Sequence, residues 1–252
     1  MVAMPAKSIV STQEAAVIID DRFANRRSPA QFRGGSGAND VRQDDGAPRS
    51  GVDWLRAIDI VLALAALIVL APVMLAVAVL VKLTSKGPAI FRHRRIGRNG
   101  KDFYCCKFRT MVCDADVRLA KLLREDPAAR AEWEQDHKLR NDPRITPIGS
   151  FLRKTSLDEL PQIFNVLMGS MSWVGPRPIV AGEVIRYGRR FNAYCEVRPG
   201  ITGLWQVSGR NDTSYRRRVA MDVLYVRSRS LRLYSMIIVR TVPAVLRQQG
   251  SY

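Results

Sequence analysis

The chain of 252 residues carries 40 Lys+Arg against 23 Asp+Glu, a formal charge of +17, and is long enough for one large domain or two small ones. An apolar share of 47% with 13 Pro and 17 Gly excludes a wholly disordered or collagen-like chain. Cys105, Cys106, Cys113 and Cys195 form neither a CxxC pair nor a disulfide framework. That argues against a zinc site or a stapled secreted fold and for reduced thiols in a cytosolic compartment. A balance this basic points to an anionic partner: nucleic acid, an acidic membrane face or a phosphorylated substrate.

Residues 1–50 hold seven of the basic residues and six of the acidic ones, so the positive excess belongs to the rest of the chain. The run from Arg33 to Gly51 is rich in Gly and small polar residues and buries too little to offset the entropy of ordering. Residues 1–50 are therefore expected to be a flexible tail. No basic stretch leads directly into an apolar core there, so a cleaved signal peptide is not indicated.

From Ile60 to Val81 follow 22 consecutive apolar residues, about 33 Å as a straight helix and enough to cross a bilayer core. Pro72 divides the run. Its ring removes a donor and crowds the carbonyl of Ile68, so a kink is predicted that leaves two halves of about 18 and 13 Å. Each is near half a bilayer core, which argues for a helix that re-enters the leaflet it came from. Lys82, Lys86, Arg92, Arg94, Arg95, Arg98 and Lys101 come next with no acid among them, placing the body that follows on the cytoplasmic side. The expected layout is a tail over 1–50, a membrane segment over 51–82, re-entrant or spanning, and a cytoplasmic body over 83–252.

Beyond the belt, Asn99-Gly100 between Ala89–Arg92 and Asp102–Lys107 predicts a hairpin. A polar helix is expected over Asp114–Leu139, broken near Pro127. Another should start near Ser156 or Asp158 and stop at Gly169, with Pro161 in its first turn if Asp158 caps it. Leu231–Leu246 mixes Leu, Ile, Met and Val with Arg232, Arg240 and Arg247. That composition suits either a helix lying on an anionic membrane surface or a core-facing helix.

The sharpest run is Arg153-Lys-Thr-Ser-Leu-Asp158-Glu159-Leu-Pro161-Gln162. Ser156-x-x-Glu159 reads as a capping box, which accounts for the acids structurally. Two adjacent carboxylates amid bases can equally serve as a nucleophile and a metal ligand toward an anionic substrate. Gly175-Pro176-Arg177-Pro178, Arg198-Pro199-Gly200 and Ser208-Gly209-Arg210-Asn211 bracket arginines with Pro and Gly, a way to aim a guanidinium at phosphate oxygens.

In this order, after a Pro-divided apolar run, these pieces resemble the bacterial sugar transferases, the monotopic polyprenyl-phosphate sugar-1-phosphate transferases. The resemblance covers Asp53 to Tyr252 and rests on Arg56-Ala-Ile-Asp59, KFRTM from Lys107, NDPRITPIG from Asn141, LRKTSLDELPQ from Leu152, MSWVGPRP from Met171, RPGITGLWQVSGRND from Arg198 and RTVP from Arg240. It is nearest the exopolysaccharide-initiating galactosyl-phosphate transferases of the succinoglycan type. The resemblance implies an α-rich α/β body, one Pro-broken re-entrant helix and interfacial amphipathic helices. It implies Asp158 as nucleophile and Glu159 as participant in Mg2+ coordination. Lys107, Arg109, Arg153, Pro176, Arg177 and Arg210 are then the substrate and phosphate site, with Pro72 at the helix break. The implied partners are a UDP-sugar, galactose or glucose, undecaprenyl phosphate and inner-membrane lipid on the cytoplasmic face; a homo-oligomer is compatible with this. Two departures stand out: Ala71 precedes the proline where the family often has Ser, and Tyr234 replaces a usual acid. The alternative is a non-catalytic membrane-tethered binder of acidic lipid or nucleic acid, though zinc-finger spacing, an RNP aromatic run and a helix-turn-helix are all missing.

Overall fold

The computed structural model describes residues 54–136, 139–208 and 213–246; the expected tail over 1–50 lies outside them. Helix α1 (Trp54–Thr84) contains the whole apolar run and is helical on both sides of Pro72. By length and composition it is the one helix among the described residues able to cross a membrane. At 31 residues it would measure about 46 Å if straight. Its inward stripe is Asp59, Ala63, Leu67, Leu70, Met74, Val77 and Val81, while Val61, Leu64, Ile68, Val69, Leu75, Val79 and Leu83 are exposed. The three-and-four spacing continues unbroken past Pro72, so both halves pack on one body.

Two clamps fix the ends of α1. Near its start, Asp59 Oδ1 accepts from Ser172 Oγ (2.9 Å), Trp173 N (2.9 Å) and Tyr234 Oη (2.7 Å). Arg56 donates to the carbonyls of Val166 (2.7 Å) and Leu167 (3.1 Å). Just past its end, Ser85 receives Arg109 Nη2 on both its carbonyl (2.9 Å) and its hydroxyl (2.7 Å). Tyr234, the departure from the family pattern, thus supplies a donor to a carboxylate that is 2% exposed.

The hairpin forms as expected, with β1 (Ile90–Ile96) antiparallel to β2 (Asp102–Phe108) and His93 opposite Cys105. Asn99 adopts a left-handed φ of 58° in the turn. The polar helix is two, α2 (Ala115–Glu125) and α3 (Pro127–Asp136), divided at Pro127. Then comes α4 (Pro147–Thr155), capped by Thr146 Oγ1, which accepts from Gly149 N at 3.0 Å.

The next helix does not begin where the capping box placed it. Leu157–Glu159 is a single tight turn, Ser156 is left-handed at φ 58° with no side-chain cap, and α5 (Gln162–Leu167) starts only after Pro161. Glu159 reaches for Lys107 rather than back to the Ser156 amide, so the box never closes. Gly169, at φ 83°, follows the end of α5 as anticipated.

The remainder is β3 (Ser172–Val174), one-turn α6 (Val184–Tyr187), α7 (Phe191–Glu196), β4 (Gly200–Thr202), α8 (Leu204–Ser208), α9 (Tyr215–Arg227) and α10 (Leu231–Leu246). β3 and β4 pair in parallel, Ser172 with Gly200 and Val174 with Thr202. This pairing sets the Gly-Pro-Arg loop against Arg198-Pro199-Gly200, with Gly200 N donating to the Pro176 carbonyl at 2.8 Å. A Cβ at Gly200 would lie 2.1 Å from the Gly175 nitrogen, so the approach requires glycine. Helix α10 buries Tyr234 and Ile237, as the core-facing reading of that segment expects, while Leu231, Val239 and Val242 stay exposed.

Among the described residues, three apolar clusters hold the body together. One joins the α1 stripe to Phe108, Leu152, Ile163 and Met171; a second gathers Ile96, Ile179, Tyr187, Tyr194 and Val219; a third joins Val174, Tyr225, Tyr234 and Ile237 to the start of α1.

Candidate active site

A cleft of about 950 Å³ opens between the hairpin, the Leu157–Glu159 turn, the Gly-Pro-Arg loop and α8, at the upper end of ordinary ligand-site volumes. Local backbone chemistry puts the acids there. The left-handed Ser156 ends α4 and reverses the chain, and the turn that follows presents both carboxylates on one side. Asn165 of α5 braces the opposite wall: its Nδ2 donates to Tyr104 O (2.7 Å) and its Oδ1 accepts from Cys106 N (2.9 Å). That pair of hydrogen bonds fixes β2, and with it Lys107, against the turn.

Lys107 Nζ sits 2.5 Å from Glu159 Oε1 and 3.6 Å from Asp158 Oδ2. The two acids are driven apart in character. Burial raises the proton affinity of Asp158 and the charge of Glu159 adds to it, against the pull of Lys107 and Arg153. Burial acts on Glu159 too, but Lys107, then Arg177 and Arg95, outweigh it and hold that carboxyl below its usual range. Opposed environments for two neighbouring acids are the ordinary way to give them different tasks.

Of the expected site residues, Asp158, Glu159, Lys107, Arg109, Arg153 and Arg177 all line this cleft. Arg177 is exposed at its rim. Arg153 is oriented by Thr110, whose Oγ1 accepts from its Nε at 2.9 Å. Arg109 is 7% exposed and spends its Nη2 on Ser85, which makes it a strut between α1 and β2 more than a free clamp. Pro176 is buried behind the loop and contributes a backbone carbonyl. Arg210 lies outside the described residues. In the NDPRITPIG run, Asp142 and Arg144 form a two-point ion pair (2.8 and 2.7 Å) that folds the loop ahead of α4.

His93 and Arg95 were not singled out by sequence, yet both line the cleft. Arg95 Nη2 and His93 Nδ1 are 3.1 Å apart. Burial, reinforced by Arg95 and Lys107, pushes the imidazole down to about 4, so it is neutral near pH 7 and accepts from Arg95. The signal was available: with the hairpin in place, period-two alternation puts Phe91, His93 and Arg95 on one face, opposite Lys107 and Cys105.

The chain matches the bacterial sugar transferase family model over residues 52–248. It is 51% identical over 211 residues to an undecaprenyl-phosphate galactose phosphotransferase of Salmonella typhimurium, covering 83% of this chain and 44% of that protein. An uncharacterized sugar transferase of Haemophilus influenzae is 55% identical over 197 residues, 78% of this chain and 42% of that one. The exopolysaccharide production protein ExoY of Sinorhizobium fredii is 48% identical over 214 residues, 84% of this chain and 94% of that one. The chain thus spans under half the length of the first two relatives and nearly all of the third. With KFRTM, the Leu157–Glu159 turn and the Gly-Pro-Arg loop converging on one cationic cleft, and a family match that takes in α1 as well as the body, the chain belongs to the bacterial sugar transferases.

Proposed function

We propose that the chain transfers hexose-1-phosphate from a UDP-sugar to undecaprenyl phosphate, beginning exopolysaccharide synthesis. Asp158 carries this reading: a buried carboxylate with raised proton affinity, ringed by Lys107, Arg153 and Arg177 in a cleft of nucleotide-sugar size. Names of the relatives supply the donor and acceptor. A Asp158 oxygen attacks the sugar-bearing phosphorus and the P–O bond to the other phosphate breaks, releasing UMP with its electron pair. An oxygen of the lipid phosphate then attacks the same phosphorus, freeing the Asp158 carboxylate and leaving the diphospho-sugar on the lipid. A carboxylate meeting a phosphate charge at 4 Å faces about 4 kcal/mol of repulsion per pair at an effective dielectric near 20. The cations around the cleft offset that and stabilise charge moving to the leaving UMP.

Magnesium fits the acids present. Among the described residues there is no cluster of three or more metal-ligating side chains, but Mg2+ commonly takes one or two carboxylates and completes its shell with phosphates and water. Glu159 would hold it, leaving Asp158 free to attack, and it would neutralise diphosphate charge. Lys107 would then shift from Glu159 toward a phosphate oxygen.

The same reading places α1 as a re-entrant anchor with the body on the cytoplasmic face. The inward stripe of α1 supports it, because residues on both sides of Pro72 rest on one body, and the basic run from Lys82 supports the side. UMP release over a panel of UDP-sugars, with and without undecaprenyl phosphate, tests the chemistry. Sugar-phosphate trapped on wild-type protein and lost in Asp158→Asn is the expected result, and UMP release unaffected by that change would overturn it.

A further inference from the structure

A second concavity, of about 560 Å³, lies away from the Asp158 cleft and shares no lining residue with it. Arg186, Arg189 and Arg190 enter it from the segment containing α6, and Arg216 from the first turn of α9, over a floor of Tyr187 and Tyr215. No carboxylate lines it, and among the described residues none of the four arginines is ion-paired.

Its floor is built rather than incidental. Tyr187 Oη donates to the buried Asp222 at 2.7 Å, and the rings of Tyr187 and Tyr215 meet edge to face at 6.2 Å. The Arg186 guanidinium lies over the Tyr215 ring at 4.8 Å. Two acids lie beside the floor without lining the hollow: Asp222 accepts from Tyr187, and Glu183 is hydrogen-bonded to Tyr215 as well as engaging the Val180 amide and Arg95. Several planar forks converging on one hollow match an anion with many oxygens, not a single carboxylate.

Position separates this hollow from the end of the hairpin that packs on α1. Ile90 at the start of β1 packs in the cluster containing α1, whereas Ile96 at its other end packs with Tyr187 and Val219. Six strand steps put those ends about 20 Å apart, more than two Debye lengths at physiological salt. Lipid headgroups beside α1 are therefore a poor match.

We propose that Arg186, Arg189, Arg190 and Arg216 form a second anion site that binds a soluble compact polyphosphate, with at least two adjacent phosphates. The site is independent of the transferase reading of the cleft.

Inorganic pyrophosphate is the probe, titrated calorimetrically against full-length protein in detergent. Wild type should show a class of sites that Arg177→Gln, at the cleft rim, retains and that the combined Arg186→Gln, Arg189→Gln, Arg190→Gln, Arg216→Gln variant loses at least tenfold in affinity. All four side chains are exposed, and the corresponding all-Lys variant keeps the charge while weakening binding by less. Loss of that class in Arg177→Gln, or its survival in the Gln variant, overturns the proposal. Pyrophosphate binding unchanged by Arg177→Gln would count against the cleft reading alone. In a parallel arm, binding to phosphatidylglycerol vesicles should be equal for wild type and the Gln variant; loss of vesicle binding would assign the arginines to lipid and overturn the soluble ligand.

Discussion

In the proposed reaction Asp158 would have to be ionised to attack phosphorus, yet its surroundings favour the proton, and Lys107 is the chief counterweight. Because the native proton affinity is raised, the rate should climb with pH through a limb lying above the usual carboxylate value of about 3.9. Lys107→Met removes the nearest cation from both acids, so that limb should move to higher pH while the plateau falls about 10–100-fold. A pH–rate profile of UMP release reads both. Asp158→Asn should cost at least about a thousandfold, some 4 kcal/mol of barrier, and Glu159→Gln should weaken the magnesium titration as well as the rate. Asp222 makes a separate case far from the cleft, where burial pushes its carboxyl up to about 7. Its neutral form is the one the fold favours, so the associated stability is complete below about pH 4 and is lost as pH rises toward 7. Asp222→Asn keeps an acceptor for Tyr187 and should flatten that pH dependence, as denaturant midpoints at pH 5 and 7.5 would show.

Helix α4 docks through a glycine. A Cβ on Gly149 would fall 2.0 Å from the Thr110 carbonyl oxygen, and the same helix carries Arg153, which Thr110 orients. Gly149→Ala should therefore destabilise by about 1–3 kcal/mol through overpacking and also lower activity by misplacing Arg153; thermal midpoint and UMP release, measured together, check both. Nothing in the periodicity of residues 147–155 announces that contact. The hairpin was legible because Asn99-Gly100 encodes its own turn, and the division of the polar helix because Pro127 cannot sit in mid-helix. The Leu157–Glu159 turn was misread because Ser156-x-x-Glu159 satisfies a local rule that a long-range ion pair to Lys107 overrides. The parallel β3–β4 pair was invisible: each strand is three residues long, too short for alternation to register. Arg95 was counted only as charge and His93 not singled out until the hairpin register placed both in the cleft.

At the scale of the whole molecule, α1 is gripped at Asp59 by the β3 side of the cleft and just past its end, through Ser85, by Arg109 from the β2 side. Asp59→Ala would leave three donors buried without an acceptor and should cost about 3 kcal/mol, whereas Asp59→Asn, retaining an oxygen, should cost less; detergent-phase thermal unfolding ranks them. Seated in one leaflet as proposed, a helix held at two such points works as a calliper. Its arms are the two walls between which the diphosphate must fit, and its setting is imposed by lipid. A hydrophobic segment meets a bilayer of the wrong thickness by tilting or bending, at a fraction of a kcal/mol per ångström, and here that adjustment would be delivered to the spacing of β2 and β3. Turnover in nanodiscs should therefore pass through an optimum as acyl chains lengthen from 14 to about 20 carbons, over the range where mismatch changes sign. Arg109→Lys, which slackens one arm, should broaden that optimum, so that the thickness of the membrane becomes a substrate-independent setting of the enzyme's speed.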